Sequence, residues 1–236
     1  TAALTANSLG AVLRGTSSVT ITAGSSAAFS NLLLVKAGSG YTVSFSAPGL
    51  AVVQSSAFAI TPASASKLSV SDQPVNGVSN GVMDTITVSV LDTHNNVVTG
   101  STASITGTLS SNAFSAGTAT KSASSSVGTF DDLQVAIAAT GYTIVFTSAG
   151  LTSATSSAFD MVAGAASKLV ISAQPSTTVA GSAASASLSV TDANNNPALY
   201  SGLLTASLTT NPSGAALGGT SSVSVSSGSS ATFSNL

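Results

Sequence analysis

The chain has 236 residues, 5% of them charged and 43% hydrophobic, with a formal net charge of -2, a single His and neither Cys nor Trp. All seven acids are Asp, so a Glu-based acid pair, a thiolate nucleophile and a His-rich metal cluster are excluded, and any Ser-His-Asp triad would have to be built around His94. The cations Arg14, Lys36, Lys67, Lys121 and Lys168 are scattered singly, which excludes the clustered charge that nucleic acid or an anionic membrane surface requires.

Taken in chain order, the middle of the sequence reads as strands with period-two alternation. The runs are 67–71, 85–90, 102–109, 117–122, 128–136, 142–147 and 155–162, separated by Gly, Asn, Ser and Pro clusters. Ile86, Val88 and Val90 fall on one face with hydroxyls on the other; Tyr142, Ile144 and Phe146 do the same opposite Thr143, Val145 and Thr147. About seven strands and no amphipathic helical pattern predict an all-β, immunoglobulin-like sandwich. Mean hydropathy is +0.49, yet no apolar run approaches the roughly 18 residues of a membrane-spanning helix. Ser and Thr make up about a third of the chain. They replace the Lys and Glu that solvate a cytosolic surface, which predicts an extracellular or cell-surface protein. No Asn-x-Ser/Thr sequon with a permissible middle residue occurs.

The sequence repeats itself. Gly40-Tyr41-Thr42-Val43-Ser44-Phe45 returns 101 positions later as Gly141-Tyr142-Thr143-Ile144-Val145-Phe146, and Ser55-Ser56-Ala57-Phe58 returns as Ser156-Ser157-Ala158-Phe159. Ala65-Ser66-Lys67-Leu68 with Gln73-Pro74 matches Ala166-Ser167-Lys168-Leu169 with Gln174-Pro175 at the same spacing. Residues 1–32 align with 205–236 without a gap, 21 of 32 being identical. A period of about 102 residues predicts the C-terminal part of one repeat in 1–63, a complete repeat in 64–163 and the N-terminal part of another in 164–236. The units run out of phase with the chain, as in an excerpt from a longer array; completion of the end units by neighbouring molecules through strand addition is the alternative.

Three features carry a family resemblance: the opening Ala-Ser-Lys-Leu with its following Gln-Pro; Val88-Ser89-Val90-Leu91-Asp92 leading to Asn95-Asn96, repeated as Leu188-Ser189-Val190-Thr191-Asp192 leading to Asn194-Asn195-Asn196; and Gly141-Tyr142-Thr143 followed by 150–159. Together they resemble the bacterial immunoglobulin-like repeats of large extracellular surface and adhesin proteins. The resemblance implies a non-enzymatic stalk or filament of domains in series. Its partners would be neighbouring repeats of the same polypeptide, with lateral self-assembly aided by the low charge. The alternative is an adhesive module that binds a glycan or protein through loops such as 192–200.

Candidate sites are few. Asp192, Asn194 and Asn196 occupy positions 1, 3 and 5 of a calcium-loop pattern, but Pro197 stands where that loop has Gly and no Glu closes it; an Asx turn is the simpler reading. No other cofactor is expected. His94 is matched by Asn194, so imidazole is not required at that place. Lys67 and Lys168 recur at the unit start and invite an isopeptide bond assisted by Asp160, against the simpler reading of surface lysines. Phe29, Phe130 and Phe233 share one repeat position, as do Phe45 and Phe146, Phe58 and Phe159, and Tyr41 and Tyr142. That recurrence reads as core, with each tyrosine hydroxyl bonded to backbone. Tyr200 lacks an aromatic counterpart, Gly100 standing in its place, and is the candidate for partner contact.

Overall fold

In the computed structural model, which describes residues 1–6, 10–211 and 213–236, every regular element is a strand. Residues 1–63 supply β1 (Ala2–Ala6), β2 (Gly38–Phe45), β3 (Val53–Gln54) and β4 (Phe58–Ile60), with β1, β3 and β4 each antiparallel to β2. Ala11, Leu34 and Tyr41 form a small core beneath them.

The strands between Lys67 and Val162 form a two-layer sandwich. The first sheet contains β5 (Lys67–Asp72), β7 (Ile86–Leu91) and β10 (Val127–Phe130) in the order β10-β7-β5. The second is built from β6 (Gly77–Val78), β8 (Ser104–Leu109), β9 (Thr120–Ser122), β11 (Ala139–Tyr142), β12 (Ile144–Thr147), β13 (Ala154–Thr155) and β14 (Phe159–Val162). Its pairings are β11-β14-β6 and β13-β12-β8-β9. Only Thr143 separates β11 from β12 and only 156–158 separate β13 from β14, so these two ladders belong to one layer.

Alternation determines what this sandwich buries. Ile86, Val88 and Val90 are all 0% exposed and face Ile105, Ile144 and Phe146 of the opposite sheet. Each such side chain contributes about 1.5–3 kcal/mol of burial. Phe130 and Phe146 lie 5.0 Å apart, and Tyr142 and Phe159 5.8 Å apart, in tilted ring contacts. The matching pairs in residues 1–63, Phe29 with Phe45 and Tyr41 with Phe58, lie at 5.3 and 6.1 Å.

The leading strand divides between the two sheets. β5 runs antiparallel to β7, and after Pro74 the chain crosses over so that β6 pairs in parallel with β14. At the crossing, side chains stand in for the missing ladder: Ser157 N–H donates to Gln73 Oε1 and Asp160 N–H to Asn76 Oδ1, both at 2.8 Å. A divided first strand, and a second sheet in which β8, β11/β12 and β14 lie side by side, make this an immunoglobulin-like β-sandwich.

Residues 164–236 add β15 (Lys168–Ala173), β16 (Ala186–Thr191), β17 (Tyr200–Thr205), β18 (Ser222–Gly228) and β19 (Ser230–Phe233), paired as β15-β16-β19 and β17-β18. Val190, Leu204, Val225, Ala231 and Phe233 form their core.

Several strand limits differ from those the alternation predicts. The strand expected over 117–122 begins at Thr120, because Gly117 has φ +97° and Thr118 N–H is taken by Asp132 Oδ2. The run expected over 128–136 leaves the ladder after Phe130. The strand expected over 155–162 breaks at Ser156, whose Oγ accepts Ile144 N–H at 2.9 Å and donates to Ser157 O. Ser55 repeats both bonds with Val43 and Ser56. Asn76 leads directly into β6.

Candidate functional site at the junctions between units

The Asx-rich loops at 92–96 and 192–196 each follow a central strand, β7 or β16. Each Asp opens a turn with its Oδ1. Asp92 Oδ1 accepts the N–H groups of His94 and Asn96, both at 2.8 Å, and Asp192 Oδ1 those of Asn194 and Asn196 at 2.8 and 3.0 Å. Asn95 and Asn195 have φ of 66° and 67°, a left-handed conformation that Asn tolerates in such turns. The turn aims both carboxylates inward, leaving Asp92 0% and Asp192 2% exposed.

The other carboxylate oxygen reaches the chain that leads in from the preceding unit. Asp92 Oδ2 accepts Ala63 N–H at 2.9 Å, and Asp192 Oδ2 accepts Gly164 N–H at 2.9 Å and the Ser79 hydroxyl at 2.7 Å. Asn96 and Asn196 complete the contact. Asn96 Nδ2 donates to Asp92 Oδ2 (2.9 Å) and Val35 O (2.8 Å), while its Oδ1 accepts Ala37 N–H (2.8 Å). Asn196 repeats the set with Asp192 Oδ2 (2.9 Å), Ala136 O (2.7 Å) and Ala138 N–H (2.9 Å). A primary amide that meets the C=O of one residue and the N–H of the second residue along supplies the donor and acceptor a neighbouring strand would offer.

The residue between those two is held by its own unit. Tyr41 donates its hydroxyl to Lys36 O at 3.0 Å, and Tyr142 to Ile137 O at 3.1 Å, as expected of tyrosines whose hydroxyls bond backbone. Each docking segment, 35–37 or 136–138, is therefore pinned from one side by a corner tyrosine and from the other by the next unit's Asn.

The electrostatics follow from this enclosure. Burial pushes the Asp192 carboxyl up. The side chains of Asn196 and Ser79 and the backbone N–H groups of Gly164 and Asn196 outweigh it and hold the group well below the ordinary carboxylate range. Asp92 behaves alike: burial acts upward, and Asn96 together with the N–H groups of Asn96, Ala63 and His94 brings it well below that range. Both are charged carboxylates satisfied by dipoles.

Of the residues singled out in the sequence, Asp192 and Asn196 meet directly, while Asn194 enters through its backbone N–H. A cation at this loop would have to displace the five donors now on Asp192. Among the described residues, no three His, Cys, Asp or Glu side chains gather to hold a metal ion. His94 is exposed on its turn. Lys168 Nζ donates to Ala193 O at 2.6 Å and lies 3.3 Å from Asn195 Oδ1, whereas Asp160 Oδ1 accepts Gly141 N–H. The lysine and that acid are engaged separately. Tyr200 opens β17 opposite Gly228, half-buried against the core of 164–236. Sequence reasoning missed Ser79 and the segments 35–37 and 136–138. The available signal was the Asp-x-x-x-Asn spacing, common to both loops although His94/Asn194 and Val97/Pro197 differ.

No protein-family model matches the sequence, and no characterised protein aligns with it significantly. Among solved structures, the chain is similar to the crystal structure of the FN1-FN3 domains of chicken CNTN1, at 11% identity and a TM-score of 0.27. The match covers 83% of this chain and 65% of that one, so the chain spans about two thirds of that structure's length.

Proposed function

We propose that the chain is a non-enzymatic spacer segment of a long extracellular fibre or adhesin stalk, with immunoglobulin-like units in series over 1–63, 64–163 and 164–236. One observation supports this reading above the others: the same Asp-Asn hydrogen-bond set recurs at both junctions, 100 residues apart. A flexible string of beads needs no such device, whereas a stalk that must hold its direction does. The longest strand has 8 residues, or about 26 Å at 3.3 Å per residue, so each stacked unit adds a fixed length to the reach of the array. A sparsely charged, hydroxyl-rich surface fits an exported position.

Small-angle X-ray scattering of the whole chain tests this. The wild type should scatter as an extended rod, and the double variant Asn96→Ala/Asn196→Ala should show a shorter maximum dimension with the flexible signature of loosely tethered beads. EDTA or added calcium should leave both profiles unchanged, because N–H and O–H donors already satisfy the carboxylates. A wild type as flexible as the double variant would rule the stalk reading out.

A further inference from the structure

The two sides of a junction are not equivalent. The upstream side is organised by its own unit: Tyr142 holds Ile137 O, Asn80 N–H donates to Val135 O at 2.8 Å, and Ser79 N–H donates to Val162 O at 2.8 Å. The downstream loop depends on what lies upstream. Asp192 takes one of its donors from Ser79 and another from the entering chain at Gly164, and Asn196, besides its bonds to Asp192, reaches outside the loop to Ala136 and Ala138. With the upstream unit still covering it but the Ser79 hydroxyl removed, a carboxylate that is 2% exposed would lose a charge-assisted donor. An unsatisfied buried charge is far costlier than an unsatisfied exposed one. The upstream side, in contrast, would lose the contacts of Ala136 O, Ala138 N–H and the Ser79 hydroxyl, each free to bond water once uncovered.

We propose that the Ser79–Asp192–Asn196 junction couples the units in one direction, so that the stability of 164–236 is conditional on the unit before it while 64–163 is indifferent to the unit after it. The coupling rests on the tandem-array reading and adds polarity to it: order passes along the chain from the N-terminal side. Ser79 is then a positioning residue of a unit to which it does not belong.

The chain carries its own reporters, since its three tyrosines fall at 41, 142 and 200, one in each unit. Tyr142 packs in the core of 64–163 and Tyr200 against that of 164–236. With 3-fluorotyrosine incorporated into the full chain, ¹⁹F NMR through a urea series follows the units separately. Ser79→Ala, a change made in the upstream unit, should lower the Tyr200 midpoint by about 1 M and leave that of Tyr142 in place. Asn196→Ala should do the same from the other side. An unmoved Tyr200 midpoint in Ser79→Ala, or a Tyr142 midpoint that falls as far as that of Tyr200 in either variant, overturns the proposal. Should the wild type scatter as a rod and Tyr200 still not respond, the coupling fails and the stalk reading stands; a wild type that is not a rod removes the basis of both.

Discussion

Gly15, Gly117 and Gly219 occupy one repeat position, with φ of +92°, +97° and +70°. A Cβ there would overlap the backbone carbonyl of Asn31, Asp132 or Asn235. The side chains of those three residues accept the N–H of the residue after the glycine, Thr16, Thr118 or Thr220, at 2.9, 3.1 and 3.1 Å. Asn and Asp interchange here because only an acceptor oxygen is needed. Gly117→Ala should therefore cost about 2 kcal/mol or more, from combined left-handed strain and steric overlap. Urea denaturation followed at Tyr142 checks it, and a loss below about 0.5 kcal/mol would contradict the close approach.

Elements in this fold are joined by side chains acting as backbone. Gln73 serves Ser157 and Asn76 serves β14 across the break at Pro74, Ser156 serves Ile144, and Asn196 serves 136–138. The loop 192–196 carries a titratable partner, so its contribution depends on pH. The Asp192 carboxyl is lower in the folded chain than its ordinary value of 3.8. A depressed carboxylate contributes stability that is fully present above the ordinary value and is lost as pH falls toward the folded one. Stability should thus be level from pH 7 to about 5 and decline below about pH 4. Asp192→Asn should be less stable at neutral pH, because its amide would point N–H at donors, and should decline less steeply in acid. Urea midpoints measured from pH 7 to 2.5 decide it; parallel slopes for the two proteins would mean that Asp192 does not supply the dependence.

At the scale of the molecule, hydroxyl pairs do much of the surface work usually left to charges. Ser71 with Ser89, Thr106 with Thr120, and Ser187 with Thr232 bridge neighbouring strands at 2.6, 2.9 and 3.1 Å. Among the described residues, the ion pairs are those of Lys121 with Asp131 and Asp132. Salt screens charges and leaves neutral hydrogen bonds nearly untouched. The urea midpoint of the whole chain should therefore shift by less than about 0.3 M between 0.05 and 1 M NaCl. A larger fall would show that electrostatics carry more of the stability than these contacts allow.

Much of this was legible in the residues. Alternation identified the buried face of β7 and β12, because a strand's side chains point to opposite sides with a period of two. Recurrence at about 102 residues identified the corner tyrosines and the aromatic core positions at Phe130, Phe146, Phe159 and Phe233, whereas Phe58, the counterpart of Phe159, is 37% exposed. The Asp and Asn of the loops stood out as well, but their chemistry pointed equally to a cation and to a turn. Where Asn96 and Asn196 send their amides, why Ser79 is buried, and how the first strand divides between two sheets are decided in the tertiary structure alone. Each depends on bringing together groups far apart in sequence: 113 residues for Ser79 and Asp192, 58 for Asn196 and Ala138. Local periodicity reports which side of a strand is dry, while the partner of a buried polar group is set by whatever backbone the fold carries to it.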